Sequence, residues 1–257
     1  MAAIASVGLL GGYSMLGDSD AGSATSTPPD ALLPPPPIGQ RISLPGGGEL
    51  SRLPGDADLL ALTVDDGVNS EVVRLYAQMA QDTGIRLTFF VNGIYDSWTE
   101  NAALLRPLVD SGQIQLGNHT WSHPDLTTVD QSTVADELQR NHRFLRDMFG
   151  VDATPYFRPP YGNHNDAVDA VAAELGYRTP TLWSGSLSDS SPVTEDYIVS
   201  MADRYFVAQS IVIGHLNHLP VTHVFPALLD IVRARNLRTV TLNDVFLQPE
   251  IPYVTTF

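Results

Sequence analysis

Two histidines, His119 and His123, stand four residues apart in the stretch GNHTWSHPDL. At that spacing both imidazoles lie on one side of a turn and can face one ion. Alone, such a pair is more often a surface coincidence, so what else the chain brings to them matters. The apolar run 59–64, LLALTV, ends in Asp65-Asp66-Gly67. A carboxylate from Asp65 or Asp66 completes a set of two histidines and one acid, which leaves coordination positions open for water and substrate as a catalytic zinc site requires. The same set suits a non-haem iron oxygenase, so the ligand types do not choose the reaction. Side-by-side carboxylates repel. A dication relieves the repulsion and lets one acid ligate while the other stays free as a base.

Further ionisable groups fall in comparable places. Arg158 opens RPPYG and can pair with a free carboxylate, holding it ionised and oriented. His215 ends the apolar run SIVIG and suits a general acid, its ordinary pKa lying near working pH. Asp189, in a serine-rich loop with Ser186, Ser188 and Ser190, can orient that imidazole. His142, His164, His218 and His223 have no ligand-like spacing to a strand-end acid and are assigned to surface or helix-cap roles.

These residues need elements to carry them. Short apolar runs predict strands at 59–64, 86–93, 114–119, 154–162, 178–183, 210–217 and 237–242. Between them, helical spacing predicts helices at 70–84, 98–112, 132–150, 166–177, 194–206 and 222–236, with Gly84 and Gly150 as C-caps and a kink at Pro107. Strand-then-helix alternation argues for a parallel sheet covered by helices, as a barrel or as a doubly wound sheet. The ionisable groups then collect at the C-terminal strand ends, where such architectures build their sites. No Gly-rich phosphate or dinucleotide signature follows the first strand.

The rest of the chain narrows the setting. Its 257 residues carry a net charge of −15, which disfavours nucleic acid and anionic membrane surfaces as partners. The absence of cysteine excludes disulfides, thiolate metal sites and cysteine nucleophiles, so any metal is held by His, Asp or Glu. Residues 1–24 begin with 16 apolar or small residues and resemble a signal peptide or a membrane anchor. They lack the usual basic start. The expectation is a protein working outside the cytoplasm, secreted or anchored through its N-terminus only. Residues 25–56, with four consecutive prolines, are expected as an extended linker outside any core, and 57–257 as the folded domain.

Taken together, TVDDG (63–67), HTWSH (119–123), RPPYG (158–162), SLSDS (186–190) and IVIGH (211–215) resemble the five ordered motifs of the polysaccharide deacetylases, the NodB-homology enzymes of carbohydrate esterase family 4. The resemblance spans about residues 57–245. It implies a distorted (β/α) barrel of about seven parallel strands with outer helices. It also implies a divalent metal, Zn²⁺ in most members and Co²⁺ or another ion in some, held by Asp66, His119 and His123. Asp65 becomes the base toward the attacking water, oriented by Arg158. The Tyr161 backbone N–H stabilises the oxyanion, and His215, steered by Asp189, protonates the leaving group. Ile213 is expected to line the acetyl pocket, with Pro160 and Trp183 as further substrate contacts. Two departures stand out. The fourth motif lacks its usual aromatic, and Leu216 stands where an acid often follows the last histidine. The implied reaction is deacetylation of N-acetylated sugars in a peptidoglycan- or chitin-like glycan. O-acetyl ester hydrolysis on a xylan-type glycan, hydrolysis of a non-sugar amide, and a non-catalytic glycan-binding relic are the alternatives.

Overall fold

A computed structural model describes residues 32–45 and 48–247. The signal-like segment 1–24, the first part of the expected linker and the last ten residues lie outside them. In chain order the elements are β1 (Ile42–Ser43), β2 (Leu59–Asp66), α1 (Ser70–Thr83), β3 (Leu87–Val91), α2 (Ser97–Glu100), α3 (Ala102–Asp110), β4 (Ile114–Asn118), α4 (Gln131–Phe149) and β5 (Tyr156–Phe157). There follow α5 (Asp166–Glu174), β6 (Thr179–Pro180), β7 (Gly185–Ser186), α6 (Glu195–Tyr205), β8 (Ser210–His215), α7 (Pro220–His223), α8 (Phe225–Ala234), β9 (Arg238–Thr239), α9 (Leu242–Val245) and β10 (Phe246–Leu247).

The main sheet runs β6-β5-β4-β3-β2-β8-β7, with β9 pairing the start of β2, and every pairing is parallel. This is the distorted (β/α) barrel, with seven strands along its curved path. One of the seven differs from expectation: β7 lies inside the serine-rich loop, while the expected last strand shrinks to β9, off the path. The expected helix 98–112 breaks at Asn101 rather than kinking at Pro107, which lies inside α3. The Asn101 carboxamide donates to the carbonyls of Ser70 and Ser97 and so anchors the break. Gly84 and Gly150 cap α1 and α4 in the left-handed conformation, as expected.

The strands alternate between two cores. Outward-facing Leu60, Val64, Leu87, Phe89, Leu116 and Val212 pack beneath the helices. Inward-facing Leu59, Ala61, Phe90 and Ile211 fill the barrel together with Val240, Leu242 and Phe246 from the C-terminal turn. Burial on both faces is what makes these strands read as continuous apolar runs.

The expected linker boundary at 57 does not hold. Leu50 and Leu53 are buried in the inner core. The seam between β6 and β7 has no direct strand pairing, and residues 50–53 fill it. The Leu50 N–H donates to the Pro180 carbonyl, the Leu182 N–H to Leu50, and the Leu53 N–H to Gln209. Further back, β1 pairs with β10. Unpaired backbone at a barrel seam needs partners, and this stretch supplies them. Among the described residues, no helix is long and apolar enough to cross a membrane.

Candidate active site

Alternation along β2 turns Leu59, Ala61, Thr63 and Asp65 toward the barrel interior. By the same rule Asp66 would face the helices. It does not, because its backbone enters the left-handed region at φ 72°, followed by Gly67 at φ 95°. This turn brings two consecutive carboxylates into one cleft. Left-handed non-glycine residues are uncommon and concentrate at functional sites. Thr120, His123, Tyr161 and Ser188, which share the conformation, belong to the predicted motifs; Gln209 and Asn236, which also share it, do not.

Asp66, His119 and His123 form a cluster whose ligand atoms all lie within 4.8 Å of one another. His119 Nε2 is 3.2 Å and His123 Nε2 3.4 Å from Asp66 Oδ1. That oxygen is buried and accepts no hydrogen bond. His119 Nδ1–H donates to the Arg158 carbonyl at 2.6 Å, which fixes the ring and leaves Nε2 for the cluster. Burial opposes ionisation of Asp66, but the facing imidazole of His119, the Asn217 amide and the His123 ring hold its carboxyl well below the usual range. Burial likewise opposes protonation of His119, and Asp65 and Asp66 overcome it and raise its pKa. His123 goes the other way, lowered by burial and by His119, so its lone pair stays available. A bare carboxylate oxygen and two imidazole nitrogens in a pocket that draws positive charge fit a divalent ion.

Asp65 stands beside this cluster as a different kind of acid. Its Oδ1 accepts from Arg158 Nη1 at 2.6 Å, and its Oδ2 lies 3.6 Å from His119 Nε2. Arg158 is fully buried. Its guanidinium also donates to Thr63 Oγ1 and to the carbonyls of Thr181 and Leu182, and it lies over the Phe90 ring at 4.2 Å. Gly117, beside Phe90 on β4, makes this possible: a Cβ there would sit 2.6 Å from the ring.

His215 pairs in register with Asp65 across β2 and β8. Its Nδ1 bonds Asp189 Oδ1 at 2.9 Å, and its backbone N–H donates to Asp189 Oδ2. That leaves Nε2 as the nitrogen available to a substrate. Burial lowers the pKa of this imidazole, but Asp189 together with Asp65 and Asp66 raises it overall. Ile213, one pleat below His215, is in register with Thr63 and Ser186, whose side it shares. Tyr161 is exposed at the rim, its ring 4.6 Å from that of His123, and Pro160 before it is buried. Trp183 packs inward, 5.6 Å from the Arg158 guanidinium and against Gly162, with its other contacts in the inner core.

The remaining histidines lie outside this cluster. His142 bonds Tyr177, His164 bonds Asp169, His223 bonds Glu195 and His218 bonds the Ser190 carbonyl.

Several supports carry no signal in the motifs. Glu137 accepts from both the N–H and the hydroxyl of Ser122, clamping the turn between the two histidines. Asn141 bonds Asn118 Oδ1, the Val91 carbonyl and the Gly93 N–H. Asn92 donates to the carbonyls of His119 and Thr120. Asn217 Nδ2 donates to Asp66 Oδ2 at 2.5 Å. Glu137 and Asn141 were findable: they are polar residues four apart on the buried stripe of α4 with Val134, Leu138 and Leu145.

Comparison with known proteins bears on the family and the fold. Chitin deacetylase 1 of Cryptococcus neoformans var. grubii is 36% identical over 141 residues, covering 55% of this chain and 29% of that protein. The chain spans about half or less of the length of such curated relatives. Among solved structures, a peptidoglycan N-acetylglucosamine deacetylase superposes with a TM-score of 0.69 at 23% identity, covering 77% of this chain and 92% of that one. A family 4 pseudoenzyme from Bacillus anthracis superposes with a TM-score of 0.68 at 19% identity, covering 78% and 69%. Both share the fold, so the fold does not decide activity. The polysaccharide deacetylase family model matches residues 52–180, half of the chain, and the chain belongs to that family.

Proposed function

We propose that this protein is a metal-dependent hydrolase that removes acetyl groups from N-acetylated sugars of a peptidoglycan- or chitin-like glycan. The observation that carries the reading is the bare Asp66 Oδ1 facing His119 and His123, with Asp65 fixed beside it but not part of the cluster. Asp66, His119 and His123 would hold the ion, Zn²⁺ by preference or Co²⁺. An ion held by these residues would supply a polarised substrate carbonyl and a water of pKa about 7. Asp65 takes the proton of the attacking water through Oδ2, because Arg158 occupies Oδ1. The Tyr161 backbone N–H donates to the developing oxyanion. His215 gives a proton to the leaving nitrogen from Nε2 while Asp189 holds Nδ1. Ile213 lines the acetyl pocket, with Pro160 and Trp183 as further substrate contacts. A complete base-and-acid pair favours catalysis over a binding relic. The apolar start of the chain supports a location outside the cytoplasm.

The test is acetate release from N-acetylglucosamine oligomers by metal-free protein reloaded with Zn²⁺ or Co²⁺, beside acetylated xylan and a non-sugar acetamide. Release from the oligomers that is lost in Asp65→Asn is the expected result. Turnover of the ester alone moves the assignment to an esterase. Binding of the oligomers with no turnover of any substrate identifies a relic.

A further inference from the structure

The metal-centre reading leaves open how one carboxylate presents a single oxygen to an ion. Resting on that reading, we propose that Asn217 is a positioning residue that assigns the two oxygens of Asp66, keeping Oδ2 occupied so that Oδ1 alone faces the ion.

Three observations carry this. Asn217 Nδ2 donates to Asp66 Oδ2 at 2.5 Å, while Asp66 Oδ1 has no hydrogen-bond partner. The other end of the same carboxamide, Oδ1, accepts from the Val68 N–H at 3.2 Å. These two bonds fix the amide's orientation, since a flipped amide would set an acceptor against a carboxylate and a donor against an N–H. The carboxylate and the N–H lie on either side of Gly67, so Asn217 spans the left-handed turn that bends Asp66 into the cleft.

Asn217 is itself held in place. The Leu216 N–H donates to the Asp65 carbonyl, and the Asn69 N–H donates to the Leu216 carbonyl. The segment leaving β8 is thereby stitched along the end of β2. One short run, 215–217, delivers both the proposed acid and the brace on a proposed ligand, and neither can shift without the other. Partners behind a ligating carboxylate tune metal affinity, and their loss typically weakens it 10–100-fold.

The test uses the whole chain, stripped of metal and titrated with Zn²⁺ against a chromophoric chelator. Asn217→Ala and the nearly isosteric Asn217→Leu are compared with wild type. Reloading with Co²⁺ adds the visible spectrum, which reports the ion's immediate surroundings and does not respond to a merely structural loss. Both variants are expected to bind Zn²⁺ about 10–100-fold more weakly, with a changed Co²⁺ spectrum and a metal-free unfolding temperature close to wild type. Wild-type affinity and spectrum in both variants overturn the role of Asn217 and leave the metal centre standing. Weakened binding found only where the metal-free protein is also unfolded overturns it too, in favour of plain structural support. A wild-type chain that binds neither ion overturns the metal centre itself, and the role of Asn217 with it.

Discussion

Asp65 and His215 stand in register on neighbouring strands, yet their surroundings differ. Asp65 is held by a fully buried arginine whose other donors reach Thr63 and the carbonyls of Thr181 and Leu182, so three segments fix one carboxylate. The turn carrying His119 and His123 is clamped in a similar way by Glu137, Asn141 and Asn92. His215 depends on one partner, Asp189, from a loop of serines whose only regular element is the two-residue β7. The proposed base and metal side is thus held from several segments, whereas the side chain of the proposed acid is held by one residue, Asp189. On this contrast, damage to the first half should cost chemistry or fold outright, while damage to the second should shift a pH profile.

The largest effect is expected at the base. Asp65→Asn should lower kcat by about 10²–10⁴-fold, the range one positioned proton-transfer group contributes, while metal content measured by elemental analysis stays at wild type. Next is Arg158→Met. Leaving the buried Asp65 without its cation should cost about 3–5 kcal/mol, read as a lower urea midpoint, and a midpoint close to wild type would remove the claim that this half is rigidly built. Smaller again is Asp189→Asn, with a kcat loss expected near the lower end of the general-acid range, about 10²-fold. Its sharper signature is pH. As the proposed acid, His215 must be protonated to act, so activity falls as pH rises through its pKa, which Asp189 raises against the lowering effect of burial. With Asp189 neutral, its raising effect is lost and only Asp65 and Asp66 oppose burial, so the alkaline limb should move to lower pH; an unmoved limb would mean that Asp189 does not tune the acid. Smallest is Glu137→Gln, which keeps one acceptor for Ser122 and should cost about 1 kcal/mol, with a few-fold weaker Zn²⁺ binding in a chelator titration.

The sequence discloses a good deal of this, and its silences have physical causes. Strands buried on both faces read as apolar runs, and the polar residues ending them mark one rim, so Asp65, His119, Arg158 and His215 are legible before any coordinates. The turning of Asp66 is legible only through Gly67 after it and the family resemblance, because strand alternation predicts the opposite face and the backbone at φ 72° reverses it. β7 is not legible, since at two residues it is too short for a period to register. The proline-rich stretch misleads for a related reason: composition suits an extended strand-like path, and such a path reads the same whether it hangs in water or lies along a barrel seam. Asn92 and Asn217 make their contacts through single carboxamides, which no periodicity announces.

That seam has a consequence for how the chain can be cut. The stretch 180–182 takes hydrogen bonds from both sides: Leu50 pairs with it from outside, and Arg158 donates to the carbonyls of Thr181 and Leu182 from within. Trimming the protein to begin after Leu53 would therefore do more than shorten its N-terminal stretch. It would unfasten one face of the frame from which the arginine behind the base is hung, so the smallest piece that still behaves as this protein starts earlier than its first conspicuous motif.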